Sequence, residues 1–224
     1  MQAAAALLLL LLASHSALAQ TIPAEFIDAA TVVDGLVVDM RYFSADNFVG
    51  KRIDGYEAPR CLLTRSAAAA LAAVQRDLPR RGLGLKVYDC YRPTRAVAHF
   101  VRWARDLADM ARKPDYYPDI DKRHLFRLGY IAERSGHSRG STVDITLVRR
   151  GGGGSDPEMG TRFDFFSPKS WPADNSVGET AQRNRALLAD AMTRAGFRPY
   201  DHEWWHFTLR HEPFPASYFD FPVR

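Results

Sequence analysis

Two short stretches constrain this chain more than any other part of it. One reads S-G-H-S-R-G-S-T-V-D-I-T-L from Ser135 to Leu147, the other D-H-E-W-W-H-F-T-L from Asp201 to Leu209. From Thr142 to Leu147 polar and apolar residues alternate, with Thr142, Asp144 and Thr146 against Val143, Ile145 and Leu147. That is the period of a strand with one buried face, and it puts Asp144 on the polar face, away from the core. Ser138 to Ser141, with Gly140 inside, is turn-like and lets His137 return to the side of Asp144. A second short strand is expected over His206 to Leu209, with His206 and Thr208 on one face. Glu203 precedes His206 by an odd offset, so it is expected on a turn just ahead of that strand, close to the His206 face but not on it.

His137, Asp144 and His206 offer two imidazoles and a carboxylate, a donor set that suits Zn2+. Three protein ligands leave a fourth position for water, as catalytic rather than structural sites do. Glu203 beside them supplies a base, and a hydrolase is the reaction class this combination favours. Taken singly, each residue has a plainer reading. One of 7 histidines is ordinarily a surface or core residue, Asp144 a strand-edge charge, and Trp204-Trp205 core. Packing does not explain H-x6-D together with E-x-x-H, each abutting a strand. Arg92 follows another expected strand in Y-R-P. Its planar, permanent charge suits a developing oxyanion; a structural salt bridge to Asp89 is the alternative.

With these motifs stand M-R-Y-F-S-A-D-N-F-V-G (Met40 to Gly50), Y-D-C-Y-R-P (Tyr88 to Pro93) and M-G-T-R-F-D-F-F (Met159 to Phe166). Together they resemble the D-alanyl-D-alanine dipeptidases of the VanX type, zinc D,D-peptidases of peptidase family M15 that share a fold with the hedgehog signalling domain. The resembling segments run roughly from Asp39 to Leu209. The resemblance implies one zinc per chain on His137, Asp144 and His206, with Glu203 as proton carrier. It implies that Arg92 stabilises the tetrahedral intermediate and that Asp164 meets the substrate ammonium. Ser135, beside the metal motif, is placed to meet the carboxylate end. Tyr42 and Tyr56 are pocket walls or ordinary core aromatics. The implied activity is hydrolysis of D-Ala-D-Ala to two D-alanines, linked to cell-wall peptidoglycan. Two alternatives stay open: a zinc D,D-carboxypeptidase or peptidoglycan endopeptidase, and a non-catalytic zinc-binding module. The presence of both Glu203 and Arg92 argues against the second.

At 224 residues the chain is long enough for one domain with a real core and short for two. Its net charge of +4 raises nucleic acid as a partner. The basic residues are scattered, however, with no basic helix or aromatic-interleaved stripe, so no nucleic-acid partner is expected. Residues 1–19 are expected to be a signal peptide. Ala3 to Leu12 is a short apolar run, and Ala17-Leu18-Ala19 before Gln20 is an A-x-A cleavage site, although the usual positive charge near the start is missing. The mature domain would be residues 20–224, exported, to the periplasm if the source is Gram-negative and otherwise secreted. No later stretch is apolar enough to span a membrane. In an oxidising compartment Cys61 and Cys90, an even pair, are expected to form a disulfide; two buried free thiols are the alternative.

Helices are expected from Ser66 to Leu78 behind a Thr64 cap, from Thr94 to about Met110, and from Thr180 to Ala195, stopped by Gly196. Strands are expected at Leu36–Arg41 and Leu85–Asp89 besides the two metal-bearing ones. Pro114 to Asp121 reads as an irregular surface segment, and Gly151 to Gly154 as a flexible loop bordering the site. Helices and strands do not alternate, so the expected class is α+β: one domain with a small, mainly antiparallel sheet carrying the zinc site, flanked by helices.

Overall fold

The computed structural model describes residues 21–151 and 155–224. The expected signal peptide and most of the glycine loop lie outside the described residues. A five-stranded sheet runs in the order β2 (Val37–Val38), β4 (Leu83–Asp89), β5 (Thr142–Arg149), β7 (Glu203–Leu209) and β6 (Phe197–Tyr200). Every pairing in it is antiparallel except β2 with β4. A separate two-stranded ribbon pairs β1 (Phe26–Asp28) with β3 (Leu62–Thr64). The class is α+β, as the irregular order of elements implied.

Helix α1 (Arg65–Asp77) starts at the expected cap, where the Thr64 side chain accepts from the Ala67 backbone N–H at 3.4 Å. Helix α4 (Glu179–Arg194) ends before Gly196, whose φ of +92° a side chain would resist. These two helices pack on each other, and α4 also crosses β5, β6 and β7. Helix α2 (Thr94–Arg105) stops short of Met110. The Lys122 ammonium explains the early end. It sits 4.0 Å above the Trp103 ring and donates to the carbonyls of Asp106 and Asp109, both at 2.7 Å, pulling the chain out of the helix. Pro114 to Asp121 lies at the surface as expected, with Pro114, Asp115, Pro118 and Asp119 exposed, but it is neither wholly irregular nor wholly exposed. Helix α3 (Lys113–Tyr116) opens it, and Tyr116 and Tyr117 are fully buried. The strand expected at Leu36–Arg41 shrinks to β2, because Arg41–Phe43 turns into a 3-10 helix.

β5 departs from its expected one-sided burial. Seven of its eight residues are buried, polar ones included. It lies between β4 and β7, so its polar face is covered too. There Thr142 pairs with Thr208, hydroxyl to hydroxyl at 2.9 Å, and Asp144 lies opposite His206. Two register breaks occur at this end of the sheet. β4 carries one extra residue between Val87 and Asp89, which turns Asp89 to the side of Asp144. β7 carries extra residues between Glu203 and Phe207 relative to β6.

Cys61, just before β3, and Cys90, just after β4, form a disulfide with Cα atoms 5.2 Å apart. Nearby, the C-terminal segment folds back on the ribbon. Phe26, Tyr91, Phe214, Phe219 and Phe221 make an aromatic cluster, with Tyr91 and Phe221 stacked at 4.1 Å. Gly140 sits beneath it, with φ +79° and room for no side chain: a Cβ there would fall 2.1 Å from the Phe26 ring.

Gly140→Ala is therefore expected to cost roughly 2–4 kcal/mol, from left-handed backbone strain plus overpacking. Gly82→Ala, with φ +68° and nothing within 4 Å of its Cβ position, should cost only about 1–2 kcal/mol. Denaturant unfolding of the two variants checks this; equal losses would show that the Phe26 contact carries no weight.

Candidate metal centre

His137 reaches the site from a 3-10 turn, Gly136–Arg139, that Ser135 caps and Gly140 ends. Asp144 comes from the middle of the sheet and His206 from the strand beside it. His137 Nε2, Asp144 Oδ1 and His206 Nδ1 form a near-equilateral triangle, with sides of 3.2, 3.1 and 3.3 Å. Three ligands of a tetrahedral ion at Zn–N and Zn–O distances of 2.0–2.1 Å would stand about 3.3 Å apart. Asp144 Oδ1 is buried without a hydrogen-bond partner. An orphaned carboxylate oxygen is costly inside a protein, and a cation at the triangle's centre would remove that cost. The donor set and its spacing thus fit zinc.

The tautomers are fixed from behind. His137 Nδ1 lies 2.7 Å from the Cys90 carbonyl, which can only accept, so Nδ1 carries the proton and Nε2 turns its lone pair to the centre. The carboxylate of Asp144 is held well below its ordinary range. Burial opposes this, and the two imidazoles outweigh it. His206 is raised: burial acts the other way, but Asp144 and then Glu203 favour its charged form.

Glu203 is the first residue of β7 rather than part of a preceding turn. The break in β7 register cancels the odd offset, and Glu203 Oε2 comes within 3.4 Å of His206 Nδ1. Burial, with the charge of Asp144 adding to it, pushes the Glu203 carboxyl up to about 7, against the pull of His206 and Arg92. Burial thus makes this carboxyl a readier proton acceptor than an exposed glutamate.

Arg92 makes the salt bridge to Asp89 weighed for it and also faces the cavity. Its guanidinium donates to Asp89 Oδ2 at 2.9 Å and stacks on the Tyr42 and Phe100 rings at 5.0 and 5.1 Å. It also lines the cavity above the triangle, with a long 3.5 Å approach to both Ser135 Oγ and Asp144 Oδ2. Tyr56 is not a cavity wall. It lies behind Arg92 and donates to Asp89 Oδ1 at 2.6 Å, so its packing serves Asp89. Tyr42 does line the cavity and donates to Asp164 Oδ2 at 2.8 Å. Asp164 is 5 % exposed, and among the described residues it is the only non-glycine with positive φ, +59°. Its pKa is driven well above the ordinary value by burial and then by the charges of Asp144 and Glu203.

The cavity holds about 220 Å³. Besides the residues foreseen, Tyr130, Arg134 and Tyr200 line it. Arg134 lies over the Tyr218 ring at 4.9 Å and, among the described residues, pairs with no carboxylate. Periodicity could not find these three, since they stand on loops and a strand end. Asp89, wedged between Arg92, Tyr56 and His137, entered only as a salt-bridge partner; its place beside Y-R-P was the available signal.

The family model for D-Ala-D-Ala dipeptidases of peptidase family M15 matches residues 23–224. A D-alanyl-D-alanine dipeptidase of Enterococcus faecium is 43 % identical over 193 residues, covering 86 % of this chain and 95 % of that protein. One from Streptomyces coelicolor is 42 % identical, over 89 % of this chain and 98 % of that protein. One from Escherichia coli is 37 % identical, over 87 % and 88 %. Among solved structures, a mutant of the D,D-pentapeptidase VanY with Zn(II) aligns at 14 % identity and a TM-score of 0.41, over 71 % of this chain and 78 % of that one.

Replacing His137, Asp144 or His206 by Ala should weaken zinc binding by more than the roughly 10–100-fold typical of outer-shell changes. Chelator competition reads this directly. A His206→Ala protein with parental affinity would remove the triangle as the metal site.

Proposed function

The chain belongs to the D-Ala-D-Ala dipeptidases of peptidase family M15, and from that premise we propose that it is an exported enzyme, with one zinc per chain, that hydrolyses D-Ala-D-Ala to two D-alanines. The observation that carries the substrate is the charge and size of the cavity. Asp89, Asp144, Asp164 and Glu203 are four buried or cavity-lining carboxyls facing two permanent cations, Arg92 and Arg134. Ionised together they leave a net charge of about minus two, which a dication would offset, so that a ligand with one ammonium and one carboxylate keeps the site neutral. A volume of about 220 Å³ is below the ~300–1,000 Å³ of pockets for drug-sized ligands. Both favour a small molecule with a free amine over a peptidoglycan strand.

Bound zinc supplies Lewis acidity at the scissile carbonyl and eases deprotonation of the attacking water. The residues of the chain do the rest. Glu203 takes the proton from the water and passes it to the amine as the C–N bond breaks. Arg92, held flat between Asp89 and the two rings, offers donors to the oxyanion that forms on attack. Asp164, steadied by Tyr42, receives the ammonium. Ser135 and the unpaired Arg134 take the carboxylate end. Left-handed backbone at Asp164 costs about 1–2 kcal/mol, a strain typical of sites where a side chain must point one way. Export is supported by the apolar run from Ala3 to Leu12, the Ala17-Leu18-Ala19 site and the disulfide. Among the described residues no helix is long and apolar enough to cross a membrane.

Glu203→Ala should keep zinc and lose about 10²–10⁴-fold in turnover; parental rates in that variant would refute the mechanism. Arg92→Ala should keep zinc and lose about 10²–10³-fold, mostly in kcat.

The substrate is tested by assaying D-Ala-D-Ala, its N-acetyl derivative and a muramyl pentapeptide side by side. Only the free dipeptide should turn over well, and Asp164→Ala should narrow its advantage. Preferential cleavage of the pentapeptide would transfer the chain to carboxypeptidase chemistry.

A further inference from the structure

Four consecutive residues, Asp89 to Arg92, hold the metal centre from behind. The Asp89 carboxylate takes Arg92 at 2.9 Å and Tyr56 at 2.6 Å, and lies 3.5 Å from His137 Nδ1. The Cys90 carbonyl takes the His137 Nδ1 proton at 2.7 Å. The Arg92 backbone N–H reaches the His137 carbonyl at 3.3 Å. His137 is thus gripped at both ring and backbone by one short segment. That segment begins at the irregular end of β4, where the register has already shifted. Strand pairing holds Asp89, opposite Asp144, but does not hold the three residues after it.

The disulfide does. Cys61 and Cys90 are both fully buried, and the bridge ties the segment to the β1–β3 ribbon. We propose that the Cys61–Cys90 bridge is a positioning element for the metal centre: it fixes the Cys90 carbonyl that orients His137, so that opening it weakens metal binding in a protein that stays folded. The inference rests on the zinc reading of the His137, Asp144 and His206 triangle. Other contacts explain why the fold would survive. The Tyr91 N–H donates to the Leu62 carbonyl at 2.9 Å, Tyr91 stacks on Phe221, and its hydroxyl donates to the Phe221 carbonyl at 2.9 Å. These keep the segment near its place, and because the Tyr91 N–H shares a peptide plane with the Cys90 carbonyl, its one bond to Leu62 is what aims that carbonyl once the bridge is open. A single backbone hydrogen bond holds the partner of the His137 ring less firmly than bond and bridge together. Opening the bridge yields two thiols: a thiol reductant gives two electrons and two protons and leaves as its disulfide, whereas a phosphine gives two electrons, takes oxygen from water to become the phosphine oxide, and the water supplies the two protons. On the export reading, metal loading becomes efficient only where the bridge can close.

The test compares oxidised parent, phosphine-reduced parent and the Cys61→Ala/Cys90→Ala variant. Each is checked for folded near-UV circular dichroism at 25 °C, and its zinc affinity and zinc release rate are then measured against a chromogenic chelator. Both bridge-free forms should bind zinc about 10–100-fold more weakly while remaining folded, the range for loss of an outer-shell partner. Leu188→Ala is the control. Leu188 is fully buried in α4, so that variant should melt earlier yet bind zinc like the parent. A metal affinity within twofold of the parent in the bridge-free forms overturns the proposal. Unfolding of those forms also overturns it, since the bridge would then be a staple for the whole chain. Absence of zinc binding by the oxidised parent would sink the metal reading as well, whereas equal binding in all forms sinks this inference alone.

Discussion

The organising constraint is a buried carboxylate oxygen with no donor of its own. Asp144 Oδ1 sits at the centre of the sheet, 2 % exposed and unpartnered, with an imidazole nitrogen 3.1–3.2 Å away on each side. A protein interior does not tolerate such an atom cheaply. Its presence on a strand with neighbours on both sides means that the surroundings were selected for a cation. The other acids point the same way. Glu203 and Asp164 are both driven upward by burial and by Asp144, so each is uncomfortable until positive charge arrives.

Two irregularities in the sheet bring those acids into place. A regular β4 would keep Asp89 on the face of Val87, in the core. The extra residue at Tyr88 turns Asp89 toward Asp144 and His137. A regular β7 would send Glu203 and His206 to opposite faces, and the register break puts both carboxylate and imidazole over the cavity. Bulges next to active sites commonly re-aim side chains in this way. Both breaks stand at the end of the sheet where the cavity opens, so ladder hydrogen bonds are given up only there.

This is also where reading the sequence reached its limit. The alternation from Thr142 to Leu147 and the turn signal at Gly140 located β5 and the His137 turn, because both are local. Thr64 and Gly196 marked helix ends for the same reason. Glu203 was placed on a turn because parity assumes an unbroken strand, and a bulge has no signature in E-W-W-H alone. Tyr56 stays open between wall and core in the sequence, because an aromatic residue does not announce whether its hydroxyl faces a cavity or a buried Asp89. The end of α2 depended on Lys122, a partner many residues away. The aromatic cluster of Phe26, Tyr91 and the C-terminal phenylalanines has no period at all. Residue types and short spacings carried the chemistry; the long-range contacts that aim it were visible only in the fold.

In the function proposed above, the same charges that call for a metal also select the substrate. Once a dication offsets two of the carboxylates, Asp164 remains a buried carboxyl that burial resists ionising, hydrogen-bonded by the Tyr42 hydroxyl and, among the described residues, in no ion pair. On the proposed reading, a free dipeptide brings an ammonium to it. A longer peptide brings a neutral amide in the same position and leaves the carboxylate either unpaired or protonated. An unpaired buried charge costs several kcal/mol, and protonation removes the group that would have recognised the chain end. Discrimination then arises from what the wrong substrate fails to neutralise, which rejects more strongly than the loss of an apolar contact. A cavity of about 220 Å³ adds a steric limit, but the electrostatic one acts first, because it penalises acylation of the amine whatever the size of the acyl group.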